Sequence, residues 1–243
     1  MFFRQLLHEE KACLSYIVGC LSKGVAAVID PQQDIQPYLH ITTQNHLNIT
    51  HIIETHVQAD HYSGAEALSK TVSAPIYFHR NAPVTFDYQK LKENDVLTIG
   101  NRRIRVIHTP GHTDESITLF VDDWFLLTGD TLFVGDVGRV DLSLKTNSID
   151  VREKAKKLYD SLFNKLLKLP DYIEIYPGHY SGSLCGKSLD GKPSSTIGRE
   201  KRFNHTLQFS SDEDAFIKLM MTDAPPPPLY RKIKRKNLGL RSY

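Results

Sequence analysis

Three side chains that bind metals well, His56, Asp60 and His61, fall within six residues, directly after the apolar run His51-Ile52-Ile53-Glu54. An imidazole, a carboxylate and a second imidazole that close together at a strand end can converge on one cation. A polar loop with two unrelated histidines has the same local sequence, so the stretch alone does not decide. Its partners come later. His112 follows Thr109-Pro110-Gly111, Asp130 follows Thr128-Gly129, and His179 follows Pro177-Gly178. Each stands just past an apolar segment, where the loops of a rigid α/β scaffold carry catalytic side chains. The glycines beside three of them let the backbone turn sharply or approach a ligand closely. One such histidine is usually structural, but four clusters in the same kind of place point to a metal centre.

The elements that must position these residues follow from hydrophobic period and chain breakers. Strands are expected over 2–3, 13–18 and 25–29, the last a continuous apolar run of the kind a doubly covered strand shows. An amphipathic helix fits 33–46, the strand 49–54 delivers the metal-rich loop, and a helix over 65–70 turns its N-terminus toward that loop. Further strands fit 74–78 and 95–100. Ile104, Val106 and His108 alternate with Arg103, Arg105 and Ile107, marking a half-buried strand that runs into the His112 turn. Segments 117–121 and 124–127 pair across Asp122-Asp123, a loop over 131–141 precedes a helix from 149 to 167, and the strand 172–176 leads to His179. This order suits a layered α/β domain with two sheets covered by helices. Helices over 196–206 and 212–221 make a small C-terminal cap, and Pro225–Pro228 is expected to end regular structure, because consecutive prolines donate no backbone hydrogen bonds. The chain thus divides into a catalytic domain over 1–224 and a Pro-rich, then basic, tail over 225–243.

Composition narrows the function class. A hydrophobic fraction of 40% and a charged fraction of 24% are ordinary for a globular protein, and no segment approaches the apolar length that spans a bilayer. Cys13, Cys20 and Cys185 are odd in number and form no CxxC pair, which points to a reducing compartment, the cytoplasm by default, and away from a cysteine-rich zinc site. The net charge of +2 rests on a basic tail after Asp223; without it, 24 basic residues face 28 acidic ones. The body has no nucleic-acid-like charge excess, and the tail reads as a solvated terminus. Phe2, Phe3 and Leu6 suit either a dimer contact or core packing.

The chain resembles the metallo-β-lactamase superfamily, whose signature is HxHxDH, a His after a Pro-Gly turn, a bridging Asp and a last His. His56, Asp60, His61, His112, Asp130 and His179 match it in order. Thr-His-x-x-Ala-Asp-His, Thr-Pro-Gly-His-Thr and Gly-Asp-Thr-Leu-Phe are most similar to the persulfide dioxygenase and glyoxalase II branch. Gly135 to Leu142, Gly182 to Lys187 and Ser194 to Gly198 resemble the dioxygenases that carry appended rhodanese domains, as does the connector-like tail. The resemblance implies a four-layer αββα sandwich with a short helical C-terminal extension. It also implies a catalytic module whose partner is a rhodanese-type sulfurtransferase.

One position departs from the family. The second His of HxHxDH is Gln58, and an amide is a poor zinc ligand beside imidazole. Persulfide dioxygenases, by resemblance, hold one Fe(II) with the residues that here are His56, His112 and Asp130, a two-His, one-carboxylate triad with open positions for O2 and a sulfur substrate. Asp60, His61 and His179 then orient that shell, with Asp60 and His61 the catalytic pair. The implied reaction takes glutathione persulfide, or a similar small persulfide, to the thiol and sulfite. Arg139 is a candidate for a substrate carboxylate or a salt bridge to Asp136 or Asp141. Cys185 is a candidate for sulfur transfer or an incidental thiol. Two alternatives remain open: a zinc thioester hydrolase of glyoxalase II type built on Asp60, His61, Asp130 and His179, and a homologue impaired by Gln58.

Overall fold

Strands that are apolar on both faces take the centre of each sheet, and the rest fall into place around them. The computed structural model describes residues 1–142, 148–180, 190–221 and 229–240. The first sheet runs in chain order: β1 (Phe2–His8), β2 (Cys13–Cys20), β3 (Val25–Ile29), β4 (Asn48–Ile53), β5 (Ile76–His79) and β6 (Gln89–Leu91). Its first two pairings are antiparallel and the rest parallel. The second sheet sets β7 (Val96–Ile99), β8 (Arg102–His108), β9 (Ile117–Val121), β10 (Phe125–Gly129), β11 (Glu174–Pro177) and β12 (Ser195–Thr196) side by side. Only its β10–β11 pairing is parallel. Strands β2, β9 and β10 are buried at every position, as doubly covered strands must be.

Three apolar cores tie four layers together. Between the sheets lie Leu14, Tyr16, Ile29, Ile53, Val106, Leu119 and Phe125, with Phe3 reaching in from β1. Outside the first sheet, α1 (Gln36–Gln44) and α2 (Ala65–Val72) cover Ile17, Val28 and Ile52. Outside the second, α3 (Ser148–Tyr159), α4 (Ile197–Phe203) and α5 (Glu213–Met220) cover Phe120, Leu126 and Ile175. This is an αββα sandwich. Phe2 and Leu6 pack on the outer core of the first sheet, so the apolar N-terminus serves packing within the chain. The β9–β10 hairpin turns on Asp122 and Asp123, both in the left-handed region (φ 48° and 52°) that a twist-matched turn needs.

Three elements differ from expectation. The helix expected over 149–167 is α3 followed by a π-wound turn over Asp160–Lys165 and a tighter turn over Leu166–Lys168; the changes in winding keep Leu158, Leu162 and Leu166 on the core. The short β6 is polar at two of its three positions, which hides it in the sequence. The tail, read as solvated, carries α6 (Tyr230–Asn237), because Ile233 and the following Leu238 are buried against the body. The boundary expected at 224/225 lies outside the described residues. No helix among them is long and apolar enough to cross a membrane.

Candidate metal centre

The loops after β4, β8, β10 and β11 meet at one edge of the sandwich. Backbone bonds lock them together: Ile117 N donates to Thr55 O (2.9 Å), Gly178 N to Gly129 O (2.8 Å) and Leu14 N to Gly178 O (2.7 Å). His56, His112, Asp130 and His179 are thereby held by rigid strand ends, each no more than 2% exposed.

Hydrogen bonds fix the tautomers of the first two histidines. Thr55 donates its hydroxyl to Asp30 Oδ2 (2.8 Å) and its amide to Asp30 Oδ1 (2.7 Å). With that hydroxyl proton committed, Thr55 Oγ1 accepts from His56 Nδ1 (3.0 Å). His112 Nδ1 donates to the Arg139 carbonyl (2.6 Å). Both rings therefore turn Nε2 lone pairs inward, and each Nε2 lies 3.6 Å from Asp130 Oδ2. That oxygen is buried with no hydrogen-bond partner. A buried carboxylate oxygen without a donor is costly, and two imidazole lone pairs facing it repel it. A cation at their common centre removes both penalties. Ligand atoms bonded to a metal at ~2.0–2.2 Å stand about 3–3.5 Å apart, so the cluster needs little closing. Burial holds His56 down to about 3 and lowers His112, so both are neutral, as ligands must be. Burial works to raise Asp130, but the His179 imidazole on its Oδ1 outweighs it and holds it below the usual carboxylate range.

The remaining family residues engage one another. His179 donates from Nδ1 to Asp130 Oδ1 and from Nε2 to Asp60 Oδ2, both at 2.7 Å. The other oxygen of Asp60 is 3.1 Å from His61 Nδ1, and the Gln32 amide lies 2.9 Å from His61 Nε2. Against the effect of burial, His179 and His61 hold Asp60 well below its ordinary value, while Asp60 and Cys13 hold His61 well above. Cys13 Sγ donates to Asp60 Oδ2 (3.3 Å), giving a second group of possible ligands: Cys13, Asp60, His61 and His179.

The structure brings the six expected residues together and adds others. Nothing local in the sequence marks Cys13, Thr55 or Asp30; Cys13 arrives because β2 starts opposite His179. Arg139 forks onto Asp141 (2.7 and 2.6 Å), so of its two expected uses the salt bridge is formed, and its carbonyl orients His112. Cys185 lies outside the described residues. Gln58 is 3% exposed, its Oε1 has no partner, and it lines a cavity of about 480 Å³ beside His56.

Residues 9–179 match the family model of the metallo-beta-lactamase superfamily. A metallo-beta-lactamase from Staphylococcus aureus superposes with a TM-score of 0.89 at 34% identity, covering 100% of this chain and 74% of that one. ETHE1 from Myxococcus xanthus gives 0.85 at 30% identity, covering 98% and 99%. A hydroxyacylglutathione hydrolase from Pseudoalteromonas translucida is 33% identical over 70% of this chain and 62% of its own length.

Proposed function

The chain belongs to the metallo-beta-lactamase superfamily, in the persulfide dioxygenase and glyoxalase II branch, and we propose that it is a mononuclear non-heme iron persulfide dioxygenase. The observation that carries this reading is how Asp130 divides its carboxylate. One oxygen is hydrogen-bonded to His179 and the other faces His56 and His112. Only one oxygen is left for a metal, which supports one cation rather than a pair bridged by both oxygens. Two neutral imidazoles and one carboxylate on one side of a cation make the set that suits iron(II) with open positions. Iron held by His56, His112 and Asp130 would supply the redox chemistry that brings O2 to a persulfide sulfur.

The protein's own residues do the rest. Thr55 and the Arg139 carbonyl hold the two rings in their ligating tautomers, and His179 fixes the plane of Asp130. Asp60 and His61 hold His179 in turn, as partners that orient a metal's ligands do. His61 and His179 are buried, which keeps bulk water away from that side of the centre. Glutathione persulfide, O2 and water then give glutathione and sulfite, with a rhodanese-type protein as the sulfur-donating partner.

A second reading, a zinc thioester hydrolase, is favoured by the hydroxyacylglutathione hydrolase relative and by the intact Asp60, His61 and His179. The readings separate on metal and oxygen. Protein purified without added metal should carry about one iron per chain, consume O2 with glutathione persulfide and release sulfite. Zinc content with thioester cleavage and no O2 uptake would overturn the proposal. Absence of either activity, restored as hydrolysis by Gln58→His, would instead mark a homologue impaired at that position.

A further inference from the structure

The loop that carries His56, Asp60 and His61 is held by side chains from far along the sequence. Among the described residues, no backbone-to-backbone hydrogen bond involves 56–62, because this stretch belongs to no strand or helix. Its polar backbone groups still need partners. Glu115 Oε1 accepts from Val57 N (3.1 Å), and the Asn237 side chain donates to Gln58 O (3.0 Å) and His61 O (2.8 Å) while accepting from Ser63 N (3.1 Å). Two carbonyls and one N–H are the complement of a carboxamide, which has two N–H donors and a carbonyl; a carboxylate has no donor and a hydroxyl has one. The three backbone groups bracket Asp60 and His61 and begin two residues after His56.

Asn237 can hold the loop because α6 is itself fixed at two further points. Thr85 donates its amide (3.0 Å) and its hydroxyl (3.1 Å) to the Leu238 carbonyl, just past the end of the helix. Lys234, which is buried, donates Nζ to the Leu142 carbonyl (2.9 Å). Leu142 ends the loop in which the Arg139 carbonyl orients His112. The helix α6 therefore spans from the loop that carries one imidazole ligand to the loop that holds the other. We propose that α6 is a clasp on the metal centre and that Asn237 is its positioning residue. By setting the backbone from Gln58 to Ser63 it keeps His56 in place for the metal and Asp60 in place for His179. The inference rests on the function proposed above only in taking His56, His112 and Asp130 as the metal's ligands. It gives part of that geometry to a segment outside the matched residues 9–179.

The test titrates the full chain, stripped of metal, with cobalt(II), whose visible absorption reports both affinity and ligand geometry without turnover. Asn237→Ala removes all three bonds and should weaken cobalt binding about tenfold, the low end for partners that orient a metal's ligands. It should also shift the cobalt bands and speed hydrogen exchange in the peptide over 57–63, while the peptide over 230–240 stays protected. Asn237→Asp keeps the shape and the acceptor for Ser63 N but turns an oxygen onto two carbonyls, so it should lose at least as much. If the alanine variant does not fold, the isosteric aspartate carries the same comparison. Parental affinity and parental bands in the folded variants, with only a lower melting temperature, would overturn the inference and leave α6 a cover. Parental behaviour in Asn237→Asp alone would overturn it too, because the two donors would then hold nothing. If the variants lose cobalt as expected while the parent takes up no O2 with any persulfide, the dioxygenase reading fails and the clasp stands. If the parent is an iron dioxygenase and both variants bind cobalt as it does, the clasp fails and the dioxygenase reading stands.

Discussion

His179 and Asp130 are joined at 2.7 Å through Nδ1 and Oδ1, so the imidazole that ends the family signature acts on the metal centre through the carboxylate it holds. Its other nitrogen is committed to Asp60 at the same distance. His179→Ala frees Oδ1 and leaves Asp60 without its strongest donor. Partners of this kind are worth about 10–100-fold in metal affinity, and a loss of that size is the expected outcome in chelator competition. An unchanged iron affinity would show that Asp130 does not depend on His179 for its orientation.

The hydroxyl of Thr55 has a comparable part at His56. Thr55→Val keeps the side-chain volume but removes the acceptor of His56 Nδ1–H and a donor to buried Asp30. Burial already raises Asp30 to about 6, with the two Thr55 bonds opposing the rise. The variant should lose about 1–3 kcal/mol of stability and bind iron at least several-fold more weakly, read by thermal melts of the apo protein and by metal titration. A fall in stability with full iron affinity would confine Thr55 to holding Asp30.

Much of this was legible because the chemistry sits in short motifs at strand ends. The apolar run before His56 and the Pro-Gly and Thr-Gly steps before His112, His179 and Asp130 placed the ligands on loops, and β4, β10 and β11 end there. The division of labour was not legible. That Asp130 spends one oxygen on His179, and that Cys13 reaches Asp60, depends on how β2 and β11 face each other across the two sheets. In the tail, six basic residues dominate composition and mask the apolar positions that dock it. It docks through buried Ile233 and Leu238, the Asn237 side chain, and Lys234 Nζ on the Leu142 carbonyl. Gln58 looked like a missing ligand; its cavity was invisible until α6 closed it.

Glycines close to Asp130 give a steric prediction. A Cβ on Gly138 would sit 1.8 Å from the Asp130 carbonyl oxygen and 3.2 Å from His112 Cβ, so two ligand-bearing segments would have to part. Both are backbone-locked and buried, so relief is not available from a flexible side chain. Gly138→Ala should cost ~2–4 kcal/mol, the upper range for overpacking, and should lower iron content together with the melting temperature. A variant that melts normally and keeps its iron would show that the loop over 131–141 yields more readily than its contacts suggest.

Away from the metal, His79 and His108 stack at 3.8 Å between ring centroids, tilted by only 12°. Burial first, then the neighbouring His108 and Arg80, lowers His79 to about 4, and burial lowers His108 too. The unfolded chain takes up a proton on His79 near pH 6.5, but the folded chain does so only near pH 4. Between those values the unfolded state binds more protons, so stability is complete above pH 6.5 and falls as the pH drops toward 4. At ~1.4 kcal/mol per unit the contribution of His79 has a ceiling of about 3.5 kcal/mol. His79→Phe keeps a ring on His108 and removes the titration; the Asn81 amide that it deprives of an acceptor is on an exposed residue and can turn to water. Chemical unfolding of the variant should therefore give a shallower decline between pH 6.5 and 4 than the parent, with a similar value at pH 8. An unchanged acid slope would assign that decline to other groups and leave the stacked pair without a part in it.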